Sequence, residues 1–249
     1  MSEGAAGRPA ASDLRAWLEA IETSLDQRTY RAGPWQRFLE AASRAPRGEL
    51  RDLQARVTRV SDKLHRRKQP RSVGFQQGLA LESLGACAGV LLLGLGAAAG
   101  SAFLLVAAAG MLGVTLQPLL KVSTGLALGL KYSYAYLWHG EPRFKLEFGS
   151  YLAAAPWKRV VVHLSGMLGS PLAWFVVSAV ARPSHPTLGA VLFWLFALHL
   201  LFQAGLLLLA VCGVRRIPGV GLLRLSSPGG AGFELRQWLD PGRARQASA

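Results

Sequence analysis

Acidic residues are scarce in this chain. There are 14 against 28 lysines and arginines over 249 residues, and only five of them fall after residue 76. Cysteine is nearly absent, and Cys87 and Cys212 both lie inside apolar stretches. That excludes a disulfide framework and a cysteine-built zinc site, and points to two small buried residues. No apolar run occurs before residue 78. A cleaved signal peptide is therefore not expected, and the first long apolar stretch should itself serve as the targeting signal. The chain also lacks a His-Glu-x-x-His helix, a G-x-S-x-G elbow and a phosphate-binding loop. Catalysis by a known motif has no support in these residues, and no cofactor or metal is expected.

Long apolar stretches, by contrast, are plentiful. Four come close to the roughly 20 residues needed to cross a bilayer: Leu79 to Ala98, Ala102 to Leu120, Val160 to Ala181 and Thr187 to Val214. A fifth, Val122 to Trp138, holds Lys131 and then Tyr132, Tyr134, Tyr136 and Trp138. Tyrosine, tryptophan and snorkelling lysine favour the headgroup level, so an interfacial or re-entrant segment is expected there. Basic residues number 15 in residues 1–75, six from Lys121 to Arg159, one at Arg182 and six from Arg215 onward. With four spans, the three large groups fall on one side, which the positive-inside bias makes the cytoplasm, with both termini. A fifth span would send the tail outward against that bias. The basic surplus flanks apolar spans, so lipid headgroups explain it better than nucleic acid does.

The expected fold class is an all-α polytopic membrane protein. It has about four transmembrane helices, an interfacial or re-entrant segment and a small N-terminal cytoplasmic helical bundle. Residues 1–11 are expected to be disordered, 12–75 to form the bundle, and 76–214 the transmembrane domain with a cytoplasmic loop at 122–159. Residues 215–249 form a basic cytoplasmic tail, in which Phe233 to Leu239 is amphipathic and suited to a membrane surface, with disorder from Asp240.

Within the bundle, Ser12 is a good N-cap for a helix carrying Leu14, Trp17, Leu18, Ile21 and Leu25 on one face. Gly33-Pro34 opens a second helix with Trp35, Phe38 and Leu39. In a third, Leu50, Leu53, Val57, Val60 and Leu64 form a heptad seam over two repeats. That seam either closes a three-helix bundle on itself or docks a partner protein through residues 12–65. The residues alone leave both open. Just before the first span, Arg66, Arg67, Lys68 and Arg71 are placed to hold anionic headgroups.

Small residues recur at packing spacing in the spans, as Gly85 with Gly89, Gly96 with Gly100, and Gly166 with Ser170. Such pairs fit a tight bundle and leave room for a homodimer. Gly94, Gly96 and Ala99 match a dinucleotide pattern, but inside an apolar span that match carries nothing. His139-Gly140-Glu141 resembles half of a zinc-deaminase signature whose cysteine half is missing. Polar groups inside a membrane are costly and count as candidate sites. Here they are Glu82, His163, His199 and Gln203, which the four-span topology allows to gather as one cluster.

From Glu141 to Gly149, Phe144, Leu146 and Phe148 alternate with polar residues, which predicts a short strand with one apolar face. Trp157-Lys158-Arg159 then leads into an apolar helix with a Gly/Pro break at Gly169-Ser170-Pro171. Residues 122–180 in this order resemble the site-2 intramembrane metalloproteases. The zinc-binding helix of that family is replaced here by Thr124 to Lys131, and no Asn-Pro-Asp-Gly follows. The resemblance therefore implies a non-catalytic relative. The leading expectation is a scaffold, anchor or regulatory subunit acting through its cytoplasmic helices. The alternative is a small transporter or lipid-handling protein using the intramembrane polar cluster.

Overall fold

The computed structural model describes residues 11–31, 33–42, 45–68, 71–138, 141–212, 214 and 229–239. The expected disordered ends at 1–10 and 240–249, the tail segment 215–228, and His139-Gly140 lie outside the described residues.

Three helices open the chain: α1 (Ala11–Asp26), α2 (Pro34–Ala42) and α3 (Arg47–Lys68). α1 starts one residue before the expected cap, so Ala11 belongs to the helix. Leu14, Leu18, Ile21 and Leu25 of α1 meet Phe38 and Leu39 of α2 and the seam residues of α3 in one core. Arg56 reaches Glu19 at 2.6 Å and Glu22 at 3.1 Å, while Lys63 reaches Asp26 at 2.8 Å. These pairs fasten the rim of α1 to α3 but add little beside the apolar core.

Four helices long and apolar enough to cross a membrane follow: α4 (Phe75–Ala99), α5 (Ala102–Ala127), α7 (Pro156–Ala181) and α8 (Pro186–Val211). Their packing partners place them in a row, α4 on α5, α5 on α7, and α7 on α8. The α4–α5 turn takes two residues. Gly100 adopts a left-handed φ of 58°, and Ser101 caps α5 by accepting from the Leu104 amide at 3.5 Å,. The small residues are spent inside this row. A Cβ on Gly89 would lie 2.8 Å from the Leu112 side chain, and one on Gly169 would lie 2.3 Å from the Gln117 backbone. Ser170 Oγ donates to the Gly113 carbonyl at 2.6 Å.

The segment Val122 to Trp138 departs from expectation. α5 runs straight through Pro118 to Ala127, and the remainder is a strand. β1 (Ser72–Gly74), β2 (Tyr132–Trp138) and β3 (Glu141–Leu146) form a small antiparallel sheet in the order β1-β2-β3. The reason lies in the alternation Tyr132, Tyr134, Tyr136, which has the period of a strand. Register pairs Tyr134 with Lys145, Ala135 with Phe144 and Tyr136 with Arg143. One face of this sheet meets α3, since Tyr134 lies beside His65 and Lys145 beside Ser61. The other face meets α4, where a Cβ on Gly78 would lie 2.2 Å from Ala135. β3 confirms the strand expected from Phe144 and Leu146, whereas Phe148 already belongs to α6 (Phe148–Ala153).

The core of the three N-terminal helices extends through α6 into α7. Tyr151 and Leu152, with Val162 of α7, belong to the same core as α1, α2 and α3. α6 lies directly on α3: the Gly149 amide donates to Thr58 Oγ1 at 3.1 Å, and Trp35 stands 6.0 Å from the Phe148 ring. The last helix among the described residues, α9 (Ala231–Leu239), packs on α7 and α8.

Candidate functional site

The four polar residues expected to cluster occupy three separate places. Glu82 is 3% exposed, on the same buried stripe of α4 as Gly78 and Gly89, and its Oε2 has no hydrogen-bond partner among the described residues. His163 Nε2 lies 2.8 Å from the Tyr151 hydroxyl. His199 and Gln203 pair with one another on α8, and the His199 ring stands edge-on to Trp174 at 5.1 Å. The row explains the separation, because α5 and α7 stand between α4 and α8. Among the described residues no three His, Cys, Asp or Glu side chains converge to hold a metal.

The heptad seam is occupied by the chain itself. Leu50, Leu53, Val57 and Val60 are buried, Leu64 packs at the edge, and α1, α2 and α6 cover them. Trp17, expected on the buried face, is instead 43% exposed. Its helical position lies beside the single buried stripe of Leu14, Leu18, Ile21 and Leu25, about 40° past Ile21, so the core leaves it outside,. Cys87 and Cys212 are likewise exposed, on the outer sides of α4 and α8, rather than buried.

The basic run ends α3 and leads into β1. The Arg66 guanidinium lies 5.0 Å above the Tyr134 ring, and Arg67 and Arg71 are exposed. Lys68 is the last residue of α3.

Polar groups do gather where the helix row meets the three N-terminal helices, which form a head on it, though the pattern of the sequence picked out only His163 among them. Lys145 Nζ donates to Ser61 Oγ at 2.8 Å and to the Leu146 carbonyl at 3.1 Å, with Asp62 at 3.6 Å. Burial pushes this ammonium below the ordinary lysine range, and the Asp62 charge pulls it partly back,. Nearby, His65 Nδ1 lies 2.9 Å from the Tyr134 hydroxyl. Burial first, with Asp62 adding, pushes that phenol up to about 12, against the pull of Arg66.

Deeper in, Arg159 of α7 meets Glu234 of α9 at 3.0 Å and Gln237 at 3.1 Å, with its guanidinium 5.5 Å from the Tyr151 ring. Both members are buried, Glu234 completely. Burial pushes the Glu234 carboxyl above its ordinary value, while Arg159 and the Tyr151 hydroxyl hold it down; burial wins. Arg236 donates to the Ala210 and Val211 carbonyls at 3.0 and 2.9 Å, which satisfies the open end of α8,. α9 is thus clamped at two points. The signal available in the sequence was Glu234 itself, the lone acid between Glu147 and Asp240 in a basic region.

One prediction arises directly. In an ultraviolet titration, a phenol ionising near pH 12 should disappear in Tyr134→Phe. Its folded value lies above the ordinary 10. The stability it contributes is therefore present below pH 10 and lost as pH rises through about 12. A late-ionising signal unchanged by the substitution would contradict the burial of this residue.

Comparison with protein-family models, with curated proteins and with solved structures finds no match to this chain.

Proposed function

We propose that the chain is a multi-pass membrane protein with both termini in the cytoplasm. Its three-helix head is a fixed cytoplasmic platform, so that it serves as a scaffold, anchor or regulatory subunit rather than through chemistry of its own. The observation carrying this reading is the shared core that runs from α1 through α3 and α6 to Val162 of α7. A head so held presents one constant surface at a constant height above the bilayer.

Because the seam is used up internally, the partner is assigned to the outer face of α1. Asp13, Ala16, Trp17, Ala20 and Thr23 are all exposed there. An exposed tryptophan on a rigid helix is the residue type that most often anchors an interface. A photo-reactive amino acid at position 17, activated in native membranes, is expected to give one discrete protein adduct. That adduct is expected to vanish in Ala20→Arg with the head still folded. Adducts to lipid alone would refute the assignment.

The exposed basic residues Arg66, Arg67 and Arg71 would face the headgroups at the foot of the head. Kinship with the site-2 proteases remains a second reading, supported by the β2–β3 hairpin that precedes α7. Transport through one shared cluster has less support, since Glu82, His163 and the His199–Gln203 pair lie apart.

A further inference from the structure

The end of the helix row away from the head carries arginine without any acid. Two turns close this end, Gly100-Ser101 and Arg182 to His185, and neither holds a carboxylate. The four long helices contain a single acid, Glu82, near the opposite end of α4. His185 Nε2 lies 2.9 Å from the Gly100 carbonyl, so this imidazole ties one turn to the other. Arg182, which caps α7, is exposed. Among the described residues its guanidinium meets no acceptor, only the Phe193 ring of α8 at 5.3 Å. That contact leaves its N–H donors for a further partner.

The arginine is held in place from both sides. A Cβ on Gly189 would lie 2.6 Å from the Arg182 Cγ, so this glycine makes room for the stem across the start of α8. Ser178 Oγ donates to the Gly189 carbonyl at 2.6 Å and locks the two helices together there. From Arg182 a track of rings runs down the α7–α8 seam. Phe193 stands 5.9 Å from Phe196, and Phe196 stands 5.2 Å from Phe175. The track leads into a groove of about 240 Å³ lined by Leu168, Pro171, Leu172, Phe175 and Phe196, all apolar. By helical rise Phe175 lies about 10 Å and Leu168 about 21 Å from Arg182. Half of a hydrocarbon core is about 15 Å thick, so the groove sits at the depth of one leaflet's tails.

We propose that Arg182 and this groove form a binding site for one anionic phospholipid of the leaflet away from the head. The headgroup phosphate takes the guanidinium donors, a pairing that the planar fork of arginine suits. One acyl chain follows the rings into the groove between α7 and α8. Charge complementarity selects the occupant: one cation with no acid at this end matches a phosphodiester whose headgroup carries no cation of its own. This inference rests on the membrane reading above.

The test uses the full chain, purified in detergent and stripped of lipid. Native mass spectrometry counts bound lipid during titration with phosphatidylglycerol or phosphatidylcholine. One phosphatidylglycerol is expected to stay bound where phosphatidylcholine does not. Arg182→Gln should weaken it about fivefold, the worth of one basic charge near an anionic surface. Arg182→Lys should retain it, which separates lost charge from lost folding. Leu172→Trp fills the groove from its exposed side and should weaken the same lipid. Leu201→Trp, at an exposed position of α8 outside the groove, should leave it bound. Equal retention of both lipids, or phosphatidylglycerol binding unmoved by either Arg182→Gln or Leu172→Trp, would overturn the proposal. A lipid-free dimer that Leu172→Trp dissociates would overturn it too, by assigning the groove to a second copy. Failure of the membrane reading would look different: the chain would stay soluble without detergent.

Discussion

Gly149→Leu is expected to lift the head off the helix row. A Cβ at this position would lie 2.1 Å from the Gln54 carbonyl oxygen, a backbone atom that cannot swing aside. The same residue donates its amide to Thr58. Overpacking usually costs 1–3 kcal/mol, and contact with backbone puts this case at about 3 kcal/mol or more. Limited proteolysis should then cut α3 faster than it does in the unsubstituted protein. Trp35 fluorescence should shift as the ring leaves Phe148. Gly94→Leu is the matched control, since nothing lies within 4 Å of a Cβ at Gly94. If Gly149→Leu resists protease as the unsubstituted chain does, α6 does not carry the head.

Glu234→Ala should have an effect of similar size by a different route. It leaves the Arg159 guanidinium buried and without its carboxylate. Removing one partner of a buried pair costs about 3–5 kcal/mol, because the other charge stays behind. α9 should detach, which also uncovers the Ala210 and Val211 carbonyls that Arg236 satisfies. Hydrogen exchange at the end of α8 should speed up with it. The double change Glu234→Ala with Arg159→Met should recover most of the loss, since a neutral pair of apolar groups leaves no stranded charge. A double variant as unstable as the single one would show that α9 is held by packing and not by this pair.

Much of the architecture was legible in the residues. The four long helices announced themselves by uncharged length, and each begins within four residues of its expected start. The head helices followed from apolar spacing and from Gly33-Pro34. β2 was misjudged because two periods coincide in it. Tyrosines with a lysine look like a headgroup belt, yet the alternation Tyr132, Tyr134, Tyr136 is that of a strand. The partner of that strand, β1, is only three residues long and carries no pattern of its own.

The polar residues show the limit of reading along the chain. Depth in a helix can be counted, which is why a four-span topology allows Glu82 and His163 to meet. Which helix stands beside which cannot be counted, and the row keeps α4 and α8 apart. The seam at Leu50 to Leu64 was recognised as a surface needing cover. That its cover includes α6, about 90 residues further on, depends on long-range packing that spacing does not encode. The Arg159–Glu234 pair joins positions 75 residues apart in the same way.

The most direct measurement is the distance between spin labels on Ala20 of α1 and Leu91 of α4, in bilayers, after Cys87 and Cys212 are replaced by alanine. All four positions are exposed. A head sharing its core with α6 and α7 predicts one narrow distance distribution, which Gly149→Leu broadens. A distribution already broad in the unsubstituted head would contradict the fixed platform and the function built on it.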